Sequence, residues 1–297
     1  MQTRPFATEA DYAQLRRLLI ASVAEGYEAH YCTIGDLDWW RATNKESAGI
    51  GVTQLWFAED GTLVGCAWPV DDEVVLLSHP RHRAVEGEML TWAEVRRAAL
   101  GTAEGEPLTL AVNGYDGDTA RVALLRERGY TRTEGHHLYR RHSLDRPLAA
   151  PTLPNGYAVR HLLGESEVAA RVAVHREAFA PSRMTVEKHR AAMAAPTYRA
   201  ELDLVVTAPE GAFAAYALVW FDAENRMGVF EPVGTDPAYQ RRGLSRAVLT
   251  EGLRRLRALG AQTAYVSPNG ANEAANRLYE AVGFRVVDEE HLWVKGL

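Results

Sequence analysis

This chain of 297 residues has little cysteine and no excess of positively charged residues. Cys32 and Cys66 are the only cysteines; they are too few for a disulfide framework and not spaced for a metal, which favours a reducing compartment. The 33 Lys and Arg are outnumbered by 39 Asp and Glu, so the formal net charge is -6. Nucleic-acid-binding proteins usually carry a basic surface, and we therefore expect no nucleic-acid partner.

A long apolar run is missing as well. The longest, GAFAAYALVWF from Gly211 to Phe221, is too short to cross a bilayer as a helix. The opening residues, MQTRPFATEADY, show neither the apolar segment nor the cleavage site of a secretory signal. The short signatures of serine hydrolases and zinc peptidases are absent too. The sequence thus predicts a cytoplasmic protein with no membrane association and no metal site.

What the chain does contain is enough apolar sequence for a sizeable core. Its 47% apolar and 24% charged residues are typical of a globular protein, and its length suits two domains of about 150 residues. SLDRPLAAPTLPNGY, residues 143–157, carries several prolines and an Asn-Gly turn pair, which disfavour regular structure. We therefore predict a linker over 146–156 between domains at 1–145 and 157–297.

The two halves repeat one another. ALLRERGYTRTEGHHLY at 123–139 aligns without gaps with RLYEAVGFRVVDEEHLW at 277–293. In both, a helix stopped by glycine leads into an alternating strand that ends in an aromatic residue. Upstream of these segments the same order of helices and β-rich runs recurs. The pattern predicts a duplicated α+β fold, in which each half has a mixed, mostly antiparallel twisted sheet flanked by helices.

The stretch QRRGLSRAV, from Gln240 to Val248, follows a β-run and opens a leucine-rich helix. A helix N-terminus carries unpaired N–H groups and the positive end of the helix dipole. Gly243 and Ser245 leave those N–H groups accessible. Positive charge is added around the same point by three arginines, Arg241, Arg242 and Arg246. The combination suits a pyrophosphate; the alternative is a surface helix start with solvated arginines.

These residues resemble the signature of the GNAT superfamily of N-acetyltransferases, a strand and a proline-containing turn followed by [QR]-x-x-G-x-[GA] at a helix start. The turn here is Thr235-Asp236-Pro237, and the loop from Gln240 to Ser245 ends in serine where glycine or alanine is usual. The family often shows N-x-x-A-x-x-L-Y-x-x-x-G-F downstream, and this chain has NEAANRLYEAVGF from Asn272 to Phe284. With both motifs in the right order, residues 157–297 resemble a GNAT domain.

The resemblance implies acetyl-CoA as cosubstrate. Its pyrophosphate would be held by the loop and the first helical turn, and its pantetheine arm would run along the preceding strand as an added strand does. Asparagines at the start of the later helix often touch the cofactor in this family, although helix capping alone explains an asparagine there. The expected acetyl-CoA-binding residues are Val233, Gly234, Thr235, Gln240, Arg241, Arg242, Gly243, Leu244, Ser245, Arg246, Asn272 and Asn276.

Two residues carry the chemistry that the resemblance implies. A protonated amine must lose a proton before it attacks a thioester, and a leaving thiol with a pKa of about 8.5 benefits from receiving one. Tyr279 stands where the family commonly has the acid; the alternative is a tyrosine that only packs against its own helix's neighbours. Glu231 lies on the strand that should face the acetyl group and is the candidate base, directly or through water. The alternative for Glu231 is an exposed strand-end carboxylate.

The first half keeps the pattern of the fold and loses the motifs. In SHPRHRAVEGE at 78–88, Glu86 and Glu88 stand at the places of the loop glycine and serine, and Leu125 replaces the tyrosine. Because carboxylates there would repel a pyrophosphate, we predict one acetyl-CoA per chain, bound by the second half. The first half would complete the substrate cleft; a cofactor site built from different residues is the alternative. Trp39-Trp40 are expected to pack in its core rather than to line a substrate wall.

The sequence therefore predicts an N-acetyltransferase that moves acetyl from acetyl-CoA to the primary amine of a small molecule, by direct attack in a ternary complex. The tandem arrangement is also similar to that of mycothiol synthases, whose acceptor is a cysteinyl pseudodisaccharide, so acetylation of such a thiol-sugar conjugate is one alternative. A non-catalytic acyl-CoA-binding protein is another. The chain is expected to be a monomer or a homodimer.

Overall fold

The computed structural model describes residues 1–25, 30–43, 52–104 and 108–297, apart from the side chains of 102–104. The strands in these ranges are β1 (Gln2–Pro5), β2 (Gln54–Phe57), β3 (Leu63–Val70), β4 (Glu73–Ser78), β5 (Thr109–Tyr115), β6 (Thr131–Ser143), β7 (Ala158–His161), β8 (Asp203–Thr207), β9 (Phe213–Asp222), β10 (Met227–Thr235), β11 (Thr263–Val266) and β12 (Arg285–Gly296). The helices are α1 (Glu9–Glu25), α2 (Ile34–Thr43), α3 (Glu86–Glu104), α4 (Thr119–Glu127), α5 (Val168–Ala178), α6 (Val186–Met193), α7 (Leu244–Ala258) and α8 (Glu273–Val282). None of these helices has the length and hydropathy that crossing a bilayer requires.

The strands form a single sheet in the order β1-β2-β3-β4-β5-β12-β6-β11-β10-β9-β8-β7. The last strand of each half has crossed into the other half, so that β12 pairs with β5 and β6 pairs with β11. The two exchanged strands also pair with each other, antiparallel, at the centre of the sheet. The halves therefore share one continuous sheet, and the α+β architecture predicted for each half is confirmed within it.

The predicted repeat is visible in the local geometry of the two halves. Asp118 and Asn272 occupy equivalent positions and cap α4 and α8 with nearly the same backbone angles. Each helix is followed by a glycine with positive φ, Gly129 and Gly283, at which the chain turns into the exchanged strand. The structure has no helix or strand over residues 144–157, the region of the predicted linker.

Helix α2 was not predicted, and it joins the halves. It belongs to the first half in sequence, but Trp39 and Ala42 pack in the same core cluster as Trp220 and other side chains of the second half. A Cβ on Gly35 would lie 2.4 Å from the Cβ of Trp220, so only glycine permits this close approach. The amide of Thr197 also donates to the Asp38 carboxylate at 3.0 Å. Helix α2 is thereby fixed on the surface of β9 and beside β10.

Candidate active site

A V-shaped opening separates β10 from β11. The two strands pair in parallel only from Met227 to Val229, whereas β10 continues to pair with β9 as far as Thr235. Beyond Val229, the edge of β10 that faces β11 therefore has no neighbouring strand. Such an edge presents backbone N–H and C=O groups to whatever enters the opening. The predicted pantetheine-binding residues, Val233 to Thr235, lie on this edge.

A β-bulge in β10 aims Glu231 into the opening. The register against β9 shifts between Phe230 and Val233, which leaves an extra residue on β10 at this point. Bulges bend a strand and redirect a side chain, and they are frequent beside active sites. The indole N–H of Trp220 donates to the Glu231 carbonyl at 2.7 Å and holds the bulged backbone in place.

A cleft of about 550 Å³ lies at this bulge and is lined by both halves. The first half contributes polar and aromatic side chains, among them His30, Tyr31, Asp36, Trp40, Tyr115 and His137. The second half contributes Phe179, Glu231, Val233, Tyr265, Asn269, Asn272, Tyr279 and Glu290, among others. None of the described lining residues is lysine or arginine, while three are carboxylic acids. The cleft is therefore an acidic, hydroxyl-rich and aromatic surface that suits a cationic or neutral polar ligand.

The carboxyl group of Glu231 lies beside a carboxyl group from the first half, that of Asp36. Burial and, after it, the neighbouring Asp36 raise the pKa of Glu231 well above its ordinary value, and a hydrogen bond joins the two side chains. Asp36 is itself held by the Thr33 amide at 2.7 Å and the Thr33 hydroxyl at 2.8 Å, at the start of α2. A proton shared by two adjacent carboxyls keeps one of them neutral at a pH at which isolated carboxyls are ionised. This arrangement suits a base that must take a proton from an ammonium group.

A further carboxyl and an imidazole in the cleft also have perturbed protonation. Burial is the main cause that raises the pKa of Glu290 to about 7, and the negative charges of Glu73 and Asp36 add to it. Burial lowers the pKa of His30 to about 4, so this imidazole is neutral over the physiological range. Neither residue was singled out from the sequence, because their burial depends on how the two halves meet.

Tyr279 presents its side chain to the same cleft from α8. Its side chain is only 7% exposed, and burial raises the pKa of its phenol above the ordinary value. Within the described part of the chain, its hydroxyl has no hydrogen-bond partner. The ring packs against Phe284 at a centroid distance of 5.8 Å, which fixes its direction. A neutral phenol that is held in place with a free proton has the properties of a general acid.

The loop between β10 and α7 has the backbone of an anion cradle. Arg241 and Gly243 both have positive φ, at +61° and +76°. Gly243 is the N-cap of α7, and the Ala247 amide is the first to bond within that helix, to the Gly243 carbonyl at 3.0 Å. The amides of Leu244, Ser245 and Arg246 thus have no helical acceptor. A Cβ on Gly243 would meet nothing within 4 Å, so the surface beside this glycine is open to a ligand.

The cradle is fixed to the rest of the second half. The hydroxyls of Thr235 and Ser245 lie 2.5 Å apart, so the serine that departs from the family pattern ties the first turn of α7 to the end of β10. Arg242 donates to the Tyr157 hydroxyl at 2.6 Å and to the Ala238 carbonyl at 3.2 Å, which ties the loop to the preceding turn and to Tyr157. Arg241 and Arg246 have no ion-pair partner in the described ranges, so they remain available to an anion. The residues present therefore fit the pyrophosphate of acetyl-CoA.

The two asparagines predicted to bind the cofactor, Asn272 and Asn276, each make hydrogen bonds to the backbone at the start of α8. The Asn272 side chain accepts the Ala275 amide at 3.1 Å and caps α8, and it also lines the cleft. Asn276 donates to the carbonyls of Asn269 and Gly270, both at 3.1 Å, and braces the loop before α8.

Two other predicted cofactor-binding residues lie before α7. Gln240 lies in the cradle loop between the turn at Pro237–Tyr239 and Arg241. A Cβ on Gly234 would lie 2.7 Å from both Ala178 and the Tyr216 ring, so this glycine is required for packing.

The equivalent place in the first half is occupied by a carboxylate. Glu86 begins α3, is 2% exposed, and receives two hydrogen bonds from the Arg121 guanidinium at 2.8 and 3.1 Å. Burial alone would raise the pKa of Glu86, but Arg121 prevails and lowers it to about 2. The cavity that remains beside Ser78, Arg121 and Asp118 measures about 110 Å³. An internal anion thus occupies the position where the second half offers free amides.

Sequence reasoning missed the first-half residues that complete the cleft. Thr33 and Asp36 form a Thr-x-x-Asp capping pair, a signal for the start of α2 that was available in the sequence. Trp39 is buried, as expected. Trp40 is partly buried and packs against the core, as predicted, but it also lines the cleft and hydrogen-bonds to Glu231. Consecutive side chains on a helix point in different directions, which separates the two indoles.

Comparisons with known proteins agree with this geometry. The family model for the Acetyltransferase (GNAT) family matches residues 171–284. The mycothiol acetyltransferase of Kineococcus radiotolerans is 35% identical over 255 residues, which cover 80% of each chain. Among solved structures, a GCN5-related N-acetyltransferase from Sphaerobacter thermophilus aligns over 99% of this chain and 95% of its own, with a TM-score of 0.68 and 22% identity. A tandem GNAT protein from the clavulanic acid biosynthesis pathway aligns over 99% and 97%, with a TM-score of 0.70 and 16% identity.

Proposed function

The chain belongs to the GNAT acetyltransferase family, and from that premise we propose that its active site is the cleft between the halves, with Glu231 as base and Tyr279 as acid. The observation that carries the proposal is that three groups lie around one cleft. The Glu231–Asp36 pair, the Tyr279 hydroxyl and the unpaired edge of β10 all face the opening between β10 and β11. These are a proton acceptor, a proton donor and a backbone surface for an extended ligand.

Acetyl-CoA supplies the acetyl thioester, and the residues of this chain manage the protons. Glu231, in its ionised form, takes a proton from the acceptor's ammonium group directly or through water, so that the free amine can attack the carbonyl carbon. The new C–N bond forms and the C–S bond breaks, while the nitrogen releases its second proton to solvent water. Backbone N–H groups on the free edge near Val233 polarise the carbonyl oxygen. Tyr279 gives its proton to the departing sulfur.

The lining of the cleft favours an acceptor with an amine and many hydroxyl groups. Its carboxyls attract a cationic amine, and with no lysine or arginine among the described lining residues it offers no counterion to a carboxylate on the acceptor. Asn113, His137 and Asn269 can instead bond hydroxyls, and Tyr115, Tyr139 and Tyr265 offer aromatic faces. Because the curated relatives bear the name mycothiol acetyltransferase, we assign the acceptor to the thiol-sugar class, as the amine of a cysteinyl pseudodisaccharide.

The test is a direct comparison of amine acceptors with the purified chain and acetyl-CoA. Acetylated product is followed by mass spectrometry, because a cysteinyl acceptor carries its own thiol and obscures any assay for released CoA. We expect the cysteinyl pseudodisaccharide amine to exceed free cysteine and glutamate in kcat/KM by at least about a hundredfold. Equal rates with free amino acids would contradict the acceptor class. Binding of acetyl-CoA with no transfer to any amine would instead support a binding protein.

We further propose one acetyl-CoA per chain, held by the cradle from Gln240 to Arg246. Isothermal titration calorimetry should give a stoichiometry of one, and Arg241→Ala with Arg246→Ala should weaken binding. Arg97 and Arg254 lie away from both the cradle and the cleft, so Arg97→Ala with Arg254→Ala is the matched control and should bind as wild type does. A second site lost on substitution of Arg83 or Arg121 would overturn the single-site proposal. A cytoplasmic location and a monomeric or dimeric state stay predictions.

A further inference from the structure

Three side chains with no part in acetyl transfer converge on the face of the sheet opposite the cleft. Asp116 follows β5 of the first half, while Glu289 and His291 lie on the exchanged strand β12. Side chains alternate along a strand, so Glu289 and His291 point away from the cleft that the intervening Glu290 lines. One ligand atom from each of the three lies within 4.8 Å of the others.

His291 is buried without a partner, and it faces the two carboxylates. Its side chain is about 5% exposed, and neither ring nitrogen has a hydrogen-bond partner in the described part of the chain. Its Nε2 lies 3.6 Å from Oδ2 of Asp116 and 3.8 Å from Oε2 of Glu289. Both distances are too long for hydrogen bonds. A buried imidazole aimed between two acids and bonded to neither indicates that something else fits between them.

Two of the three separations are close to those in the ligand shell of a tetrahedral metal ion, and the third is at most 4.8 Å. Zinc binds nitrogen and oxygen ligands at about 2.0–2.2 Å, which places neighbouring ligand atoms about 3.3–3.6 Å apart. The separations from Nε2 are at or just beyond the upper end of this range. We propose that Asp116, Glu289 and His291 bind a divalent transition-metal ion of the zinc class, with water in the remaining position. Imidazole and carboxylate ligands together are suited to zinc rather than to magnesium or calcium.

Arg132 is the competitor for this site. Its guanidinium donates to Oδ1 and Oδ2 of Asp116 at 2.9 and 3.2 Å. Both side chains of this pair are nearly half exposed, and exposed ion pairs contribute little to stability. A divalent ion can therefore displace Arg132, and removal of Arg132 should strengthen metal binding.

The ion would join the two halves. Asp116 lies in the first half, and both other ligands lie on the strand that the second half contributes next to β5. An ion bound to all three would fasten the exchanged strand to its new neighbour. Metal binding should therefore stabilise the native chain, because the unfolded chain does not bring the three ligands together.

The experiment uses the full chain, freed of metal with a chelator and titrated with Zn²⁺ by calorimetry, with the melting temperature measured in parallel. We expect one Zn²⁺ per chain and a melting temperature that rises with Zn²⁺ concentration. His291→Gln and Asp116→Asn should each weaken Zn²⁺ binding by about tenfold or more, and Arg132→Ala should strengthen it. His136→Gln is the matched control, because the His136 ring lies beside that of His291, with a centroid distance of 5.4 Å, but His136 does not belong to the proposed site.

Each alternative result decides against the proposal. Absence of saturable Zn²⁺ binding in wild type would overturn it, as would equal binding by wild type and His291→Gln. Loss of binding in His136→Gln but not in His291→Gln would move the ion to another site. Should His291→Gln fail to fold, Asp116→Asn and Arg132→Ala, both at nearly half-exposed positions, provide the same test with opposite expected signs.

Discussion

Tyr279→Phe separates the proposed catalytic role of this residue from its role in packing. The substitution removes one hydroxyl from a ring that is 7% exposed and leaves its contact with Phe284 intact. No hydrogen bond within the described ranges is lost with that hydroxyl. The variant should therefore fold as wild type does, with an unfolding free energy within about 1 kcal/mol of it. For a chain of this size such a change moves Tm by no more than about 4 °C.

The expected loss of activity is much larger than the change in stability. A positioned general acid contributes about 10²- to 10⁴-fold to the rate, which corresponds to about 3 to 5.5 kcal/mol of transition-state stabilisation. Because the hydroxyl would act on the leaving sulfur only, kcat should fall while the affinity for acetyl-CoA stays within about twofold. Tyr139→Phe, in the same cleft but on the central sheet, is the matched control and should keep most of its activity.

The decisive assay varies the leaving group. Wild type and Tyr279→Phe are compared with acetyl-CoA and with an acetyl thioester whose thiol has a much lower pKa. A thiolate that leaves readily needs no proton, so the rate defect of the variant should shrink with the second donor. An equal defect with both donors, or a fall in Tm large enough to explain the loss, would refute the assignment of Tyr279 as the acid.

The remaining predictions concern carboxyl groups. Glu231→Gln should lower kcat/KM by about 10²- to 10⁴-fold in initial-rate assays. The folded chain holds the Glu231 proton at a pH at which the unfolded chain releases it, so stability falls as pH rises above the ordinary carboxyl pKa. The same variant should thus melt no lower than wild type at about pH 8. Asp36→Asn should shift the acid limb of the pH profile of kcat/KM to lower pH, because the Asp36 charge no longer raises the pKa of the base; an unmoved limb would exclude the pairing. Asp203→Asn should cost about 3–5 kcal/mol in urea unfolding, because it leaves the buried Arg171 without its partner at 2.9 Å, whereas Glu273→Gln in an exposed pair should change stability by less than about 0.5 kcal/mol.

The sequence was sufficient for those parts of the site that depend on neighbouring residues in the chain. The cradle at Gly243, the cap at Asn272 and the position of Tyr279 each depend on residues within a turn or two, and local motifs predict them. Asp36 depends on a contact between chain segments almost two hundred residues apart. Its only local sign is the capping pair with Thr33, which predicts a helix start and not what that helix touches.

The strand exchange could not be predicted for a related reason. β6 and β12 carry the same repeated pattern of alternating side chains. Either strand could therefore pair with β5 or with β11 and place its side chains on the same faces of the sheet. The alternation of side chains and the β-propensity of the residues are the same whether or not the two strands are exchanged. The choice between them depends on the connections and on the packing of the whole molecule, which short-range patterns do not contain.

The exchange also shows how both halves contribute to the one cleft that we propose as the active site. Since β12 lies next to β5, and α2 packs on β9, the first half brings Asp36 to the bulge of β10 and supplies one wall of the cleft. Its own cradle is closed by Glu86 and Arg121, a buried pair that costs free energy to open, because each charge would lose its partner. This closed cradle supports the proposal that the anion of the cosubstrate binds in the second half only. Asp36, the carboxyl partner of the proposed base Glu231, comes from the first half, so the proposed acid–base machinery draws on both halves.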